Sequence, residues 1–293
     1  MRILVTGRNG QVGYELERSL QPLGEIIALG RAQMDLSNLD QVREVVRRLR
    51  PQLIINAAAY TAVDLAEQEP GLAMRINGEA PGVMAEEAKK LGAAMIHYST
   101  DYVFDGTKPG AYTEDDMPCP LNVYGHSKLT GEQAVKAAGI PYLVFRTSWV
   151  YGIRGKNFLL TVKRLAQEKN ELRIVSDQHG APTWCRTIAD TTAHVVARLQ
   201  SAQDGVGIDQ DKWLQKSGLY HLAAQGQTTW YGFAQTIVAH PSVDRKPPVV
   251  PITTQDYPLP APRPANSYLS CERLINTFCR LPTWNSALNL CLE

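Results

Sequence analysis

A chain of 293 residues with 44% hydrophobic content is long enough for a full core with a smaller unit appended. A formal net charge of +1 creates no overall field toward nucleic acid or an anionic membrane, although a pocket can still be locally basic. The five scattered cysteines, an odd number with no Cys-x-x-Cys, imply free thiols in a reducing compartment, and the six histidines lack metal-ligand spacing, so no metal site is expected.

The apolar run after Met1, Ile3 to Val5, is too short for a secretory signal. The uncharged apolar run 53–63 is too short to span a bilayer and contains Asn56. A cytoplasmic protein without membrane contact is expected. Residues 2–6 predict a strand, and Val12, Leu16 and Leu20 predict a helix after it. A second strand is predicted at 25–29, then a helix whose apolar face carries Leu39, Val42, Val45, Val46 and Leu49. Residues 53–56, 94–98 and 142–149 read as further buried strands with helical stretches between them. Strands alternating with helices predict an α/β fold, a doubly wound parallel sheet of the Rossmann kind with a smaller C-terminal lobe. Ligands of such sheets bind outside the carboxyl ends of the strands. Residues 1–150 form the expected dinucleotide-binding unit. A helix at 187–199 and a strand at 218–223 are expected to return to it, while the rest of 151–293, including a helix at 157–168, forms the substrate lobe. The polar stretch 201–217 has no clear period and reads as a surface insertion. Eight of the eighteen prolines fall between Pro241 and Pro264, which predicts an extended surface loop.

Two patterns carry chemistry. Gly7, Gly10 and Gly13 form G-x-x-G-x-x-G between the first strand and the first helix. Glycines there let the backbone turn sharply and bring a pyrophosphate to the free N–H groups of a helix N-terminus. An ordinary tight turn is the plainer alternative. Tyr124 and Lys128 stand at i and i+4, so they share a helix face. An ammonium beside a phenol stabilises the phenolate, which would tune Tyr124 to protonate an alkoxide as hydride reaches a carbonyl; the lysine can also hold the cofactor ribose. No other tyrosine in the chain has a lysine four residues on. Ser99 and Thr100, at the end of another predicted strand, could each donate to a carbonyl oxygen. Without the other two patterns, Thr100 would read as a strand-end cap.

The second strand ends in Gly30-Arg31, with no acid before Asp35. An acid at that place favours NAD, whereas an arginine accommodates a 2′-phosphate. NADPH is therefore expected over NADH, which stays usable, with Arg31 on the phosphate and Arg8 as a second cation; Asp35 reads as an adenine contact. Arg263, in the proline-rich segment, has a guanidinium fork suited to phosphate oxygens of a substrate. Its plainer reading is a solvated arginine.

Taken together, these patterns resemble the extended short-chain dehydrogenase/reductase superfamily. The runs Asn56 to Asp64, His97 to Phe104, Phe145 to Gly152, Asp177 to Thr183, Gly218 to Leu222 and Arg263 to Ser267 are similar to the dTDP-4-dehydrorhamnose reductase family, over nearly the whole chain. The resemblance implies reduction of the C4 ketone of a dTDP-linked 4-dehydrorhamnose, the last step in making that sugar donor. It implies Tyr124 as proton donor with Lys128 as its partner and Thr100 tuning the site, and Thr100, Asp101 and Trp149 on the sugar. It also implies Gly10, Gln11, Val12, Asp35, Leu36, Ala59, Tyr60, Thr61 and Tyr98 on the cofactor. Trp149 would otherwise be core packing. Some relatives form a magnesium-bridged dimer; Glu15 matches one ligand, but Arg186 replaces another acid, so a monomer or weak homodimer is expected. Two other readings stand beside this one. A nucleotide-sugar 4,6-dehydratase resembles a family with Asp-Glu after the threonine, whereas Thr100 precedes Asp101-Tyr102. A non-catalytic regulatory subunit of the methionine adenosyltransferase β type would keep similar residues.

Overall fold

The computed structural model describes residues 1–200 and 208–293. Six strands build one wholly parallel sheet: β1 (Arg2–Thr6), β2 (Glu25–Leu29), β3 (Leu53–Asn56), β4 (Ala94–Thr100), β5 (Tyr142–Thr147) and β6 (Gly218–His221). Their order is β6-β5-β4-β3-β1-β2. Helices α1 (Gln11–Ser19), α2 (Leu39–Leu49), α3 (Ala80–Leu91), α4 (Val123–Ala137) and α5 (Cys185–Leu199) cover the two faces. Side chains alternate across a strand, and the two cores follow from that. Ile3 and Val5 face Leu16 of α1, Leu20 at its C-terminal cap, and Ile188 and Val195 of α5. Leu4 faces the other way, into a core with Val42 and Val45 of α2 and Met84 and Ala88 of α3. Central strands β3 and β4 are buried throughout, which is why they read as unbroken runs rather than alternating ones.

The chain steps from β1 outward to β2, then back to the other side of β1 for β3. Connections leaving β1 and β3 therefore diverge, and a crevice opens at their carboxyl ends. The β1–α1 connection, Gly7 to Gly10, lies there.

A third core belongs to the smaller lobe and holds Tyr151, Leu159, Val162, Phe233, Ile237 and Leu288. Within this lobe the proline-rich span is not wholly loop. Val249–Ile252 pairs in parallel with Leu172–Val175, and Thr254–Asp256 makes a 3₁₀ turn. Pro251 is tolerated because this sheet has only two strands, leaving the side away from the partner free of ladder bonds. The reading of 201–217 as an insertion without period also needs correction. Gln210–Lys216 is a helix, capped by Asp209 and anchored by a fully buried Trp213 in the core of β5 and α5. Two adjacent apolar residues, Trp213 and Leu214, on about two turns give too little periodicity to see. Residues 201–207 lie outside the described residues. No helix among the described residues is long and apolar enough to cross a membrane.

Candidate active site

The glycine-rich turn is shaped by contacts that only glycine allows. Gly7 has a left-handed φ of 75°, and a Cβ there would lie 2.8 Å from the Ala58 amide nitrogen. At Gly13 a Cβ would come within 2.1 Å of the Gly7 carbonyl oxygen, so α1 packs directly on the turn. Gly10 is the N-cap of α1 and has no side chain to occupy the first-turn N–H groups, which stay open to an anion.

From this turn a cleft of about 590 Å³ runs across the carboxyl ends of the strands. Of the predicted cofactor residues, Gly7, Gly10, Gln11, Val12, Arg31, Asp35, Leu36, Ala59, Thr61, Tyr98, Tyr124 and Lys128 line it. Gly13 and Tyr60 are not on its wall. Gly13 acts beneath the turn, and the Tyr60 hydroxyl donates to Glu69 at 2.7 Å, turned away. Asp35 accepts from the Ser37 N–H at 3.0 Å and hydroxyl at 2.8 Å, which holds its carboxyl below the usual range. Arg31 lies on the cleft wall beside Gly30. Arg8, expected as a second cation, is instead bound to Glu17 on α1 at 3.0 Å. Gly155 and Lys156, which sequence reasoning missed, also line the cleft. They follow β5 by several residues in a loop without pattern, so only the fold brings them there.

Tyr124 sits in the first turn of α4, fixed by the Asn122 side chain, which accepts from the Gly125 N–H at 2.8 Å. Lys128 lies one turn later, 2% exposed, and its Nζ donates to the Tyr98 carbonyl and lies 3.5 Å from His97 Nε2. Burial lowers the lysine to about 8, opposed by the charge of Glu132. The phenol behaves otherwise than its spacing from Lys128 suggested. Desolvation pushes Tyr124 up to about 12; the Thr100 hydroxyl bond opposes this, and Asp101 adds to it. The ammonium is turned toward the strand carbonyl, so burial outweighs it in the unliganded cleft.

Thr100 ends β4, donates to Asp101 Oδ1 at 2.9 Å and accepts from the Tyr102 N–H at 3.2 Å, capping a short 3₁₀ turn. Burial pushes the Asp101 carboxyl up to about 6, against hydroxyl bonds from Ser267 and Thr100. Ser99 is not a free donor: its hydroxyl is bound to Glu132, which also pairs with Arg146 at 2.7 and 2.9 Å in the buried floor. Trp149 follows β5 with a left-handed φ of 46° and stacks on Trp230 of the lobe at 3.7 Å. Arg263 is neither solvated nor free. It binds Asp64 at 2.8 Å and the Ala261 carbonyl at 2.6 Å, with 13% of its side chain exposed. Arg186 pairs within its own helix to Asp190 at 3.7 Å.

A parallel sheet with a glycine-lined anion cradle at its switch point, and a tyrosine and a buried lysine one helical turn apart beside it, defines an extended short-chain dehydrogenase/reductase. The family model described as the RmlD substrate binding domain matches residues 1–293. The dTDP-4-dehydrorhamnose reductase of Burkholderia thailandensis is 50% identical, over 100% of this chain and 98% of that protein. That of Escherichia coli K12 is 44% identical, over 97% and 94%. The crystal structure of the Bacillus anthracis dTDP-4-dehydrorhamnose reductase in complex with NADP superposes with a TM-score of 0.87 at 35% identity, over 99% of this chain and 98% of that one. The chain belongs to the dTDP-4-dehydrorhamnose reductase family.

Proposed function

We propose that this protein reduces the C4 ketone of dTDP-4-dehydro-β-L-rhamnose to dTDP-β-L-rhamnose with NADPH, closing the synthesis of that sugar donor. The observation that carries the reading is the convergence of Tyr124, Lys128 and the glycine-rich turn on one cleft. The fit of a dinucleotide rests on the turn itself: Cβ atoms at Gly7 and Gly13 would collide with backbone, and the α1 N–H groups stay uncapped. NADPH when bound supplies the hydride.

The chain's own residues do the rest. Gly7, Gly10, Gln11 and Val12 would hold the pyrophosphate, Arg31 the 2′-phosphate, and Asp35, Leu36, Ala59, Thr61 and Tyr98 would line the remainder. Tyr124 donates a proton to the oxygen at C4; a phenol kept protonated by its surroundings is in the correct state to do so. Thr100 orients that hydroxyl, Lys128 holds the ribose, and Asp101 and Trp149 position the sugar between sheet and lobe. This assigns residues 1–150, with α5 and β6, to cofactor binding, and most of 151–293 to the substrate. The five unpaired cysteines fit a cytosolic site of action, as a monomer or weak homodimer.

The dehydratase and regulatory-subunit readings gain nothing from the relatives, which carry the reductase name at 50% and 44% identity. The deciding experiment is turnover with the dTDP-4-keto-6-deoxysugar and NADPH, followed by loss of NADPH absorbance and identification of the product sugar. Stoichiometric NADPH oxidation with formation of dTDP-rhamnose is expected. NADPH binding without turnover would leave the chain a binding module.

A further inference from the structure

Beneath the cleft a line of buried polar side chains crosses three strands and ends at Lys128. Thr6 of β1, Asn56 of β3 and His97 of β4 are 2%, 1% and 0% exposed. The Ala58 N–H donates to Thr6 Oγ1 at 3.1 Å, and Thr6 Oγ1 donates to Asn56 Oδ1 at 2.6 Å. Asn56 Nδ2 lies 3.1 Å from His97 Nδ1, and His97 Nε2 lies 3.5 Å from Lys128 Nζ. Above the imidazole, a Cβ at Gly131 would lie 3.3 Å from Nε2 and 2.2 Å from the Asn77 carbonyl oxygen, so α4 is pressed close over the ring.

The direction of every hydrogen bond in this line follows from its first member. The 2.6 Å separation suits O–H···O rather than N–H···O. With the amide of Asn56 turned over, the Thr6 hydroxyl hydrogen would lose its acceptor in a buried place. Asn56 therefore presents its NH₂ to His97, Nδ1 accepts, and the neutral imidazole carries its proton on Nε2, facing Lys128. An Nε2–H meets an amine lone pair favourably and an ammonium unfavourably.

We propose that His97 is a positioning residue for Lys128, and that the Thr6–Asn56–His97 line presents the lysine with a hydrogen-bond donor that favours its amine form. This rests on the reading of Lys128 as the partner of Tyr124. The titratable groups near the lysine are His97 of β4 and Glu132 of its own helix, with Tyr124 on the same cleft wall; the Tyr98 phenol is turned the other way and bound to Thr192 of α5 at 2.7 Å. Glu132 favours the ammonium, but Arg146 of β5 already pairs with it.

The test is a titration of Lys128 in the unliganded protein by carbon-13 NMR of labelled lysine, the signal assigned by its loss in Lys128→Met. In His97→Leu, which keeps the site apolar but removes the donor, the midpoint moves up by about half to one unit, the worth of one hydrogen bond. Thr6→Val gives a shift in the same direction, since Asn56 is then free to turn its oxygen to His97, which can offer Nε2 as an acceptor to the ammonium. His97→Gln, which keeps a donor, holds the midpoint near the parent's. An unmoved midpoint in Thr6→Val overturns the proposal even where His97→Leu fails to fold, as does an equal rise in all three variants. Activity of Lys128→Met reports separately on the underlying assignment: near-normal turnover there removes the lysine from catalysis, whereas lost turnover with unmoved midpoints refutes only the role of His97.

Discussion

Tyr124 is a phenol that burial keeps protonated, next to Thr100 and one turn from a lysine that burial brings toward its amine form. Tyr124→Phe removes only the hydroxyl, so the ring contact with Tyr102 survives. Loss of the acid is expected to lower turnover about 10²–10⁴-fold with cofactor affinity little changed. Steady-state rates together with NADPH fluorescence titration check both halves; near-normal turnover would mean that another group gives the proton. Arg31 is the second residue whose role a single change can read. With Arg8 taken up by Glu17, Arg31 is left as the cation beside Gly30 on the cleft wall. A charge-assisted bond to a 2′-phosphate corresponds to a preference for NADPH of about 10–100-fold. Arg31→Ala should erase it. The ratio of kcat/KM for NADPH and NADH in parent and variant measures this, and equal ratios in the two proteins would show that Arg31 does not read the phosphate.

Among the elements, α2 and α3 show how a surface helix is tied to its neighbour by one buried carboxylate. Glu87 on α3 is 1% exposed and receives Arg47 of α2 at 2.7 and 2.8 Å and Lys90 at 2.7 Å. Arg47 is the first cause that holds its carboxyl down, to about 2. A depressed acid stabilises the fold fully above its unfolded value and loses that contribution as pH falls through its folded value. Stability from Glu87 is therefore complete above about pH 4.5 and disappears toward about pH 2. Glu87→Gln should be less stable than the parent at about pH 7, with the gap narrowed at about pH 3. Urea midpoints at both values test this; a gap that stays constant would show that packing, not charge, is what the substitution removes. The sheet's own elements follow the same economy of side chains. The burial of β3 and β4 on both faces is met by mainly apolar runs, and of their polar members Asn56 and His97 form the line to Lys128, while Ser99 and Thr100 bind Glu132 and Asp101.

At the scale of the molecule, the contacts between sheet and lobe include two that no sequence period announces. Trp149, leaving β5, stacks on Trp230 of the lobe, and Arg263 of the proline-rich span binds Asp64 in the short helix Val63–Ala66 that follows β3. The arginine pair lies beside the active site, where its charge reaches Tyr102. It holds the span down through Ala261, whose N–H also donates to Asp64 at 3.2 Å. Arg263→Ala is expected to raise KM for the nucleotide sugar while NADPH binding is unchanged, because the lobe's wall loosens rather than the cofactor turn. An unchanged KM would make the pair a surface tie without bearing on the substrate.

Much of this molecule was legible in the chain because it depends on local rules. Short apolar runs mark β1 to β5 and the 3.6-residue period marks helices between them, Gly7 and Gly13 answer a backbone need that no other residue meets, and four residues along a helix bring Tyr124 and Lys128 to one face. What the tertiary structure decided is the state of each charged or polar group, since that depends on neighbours distant in sequence. Ser99 is committed to Glu132, Arg8 to Glu17 and Arg263 to Asp64; Trp213 turns an apparently featureless stretch into a helix; and the phenol of Tyr124 rises under burial instead of falling under the lysine. Residue types and spacing announce which chemistry is available. The partner that each group takes, and the water it loses, are set only when strands and loops as far apart as Asp64 and Arg263 come together.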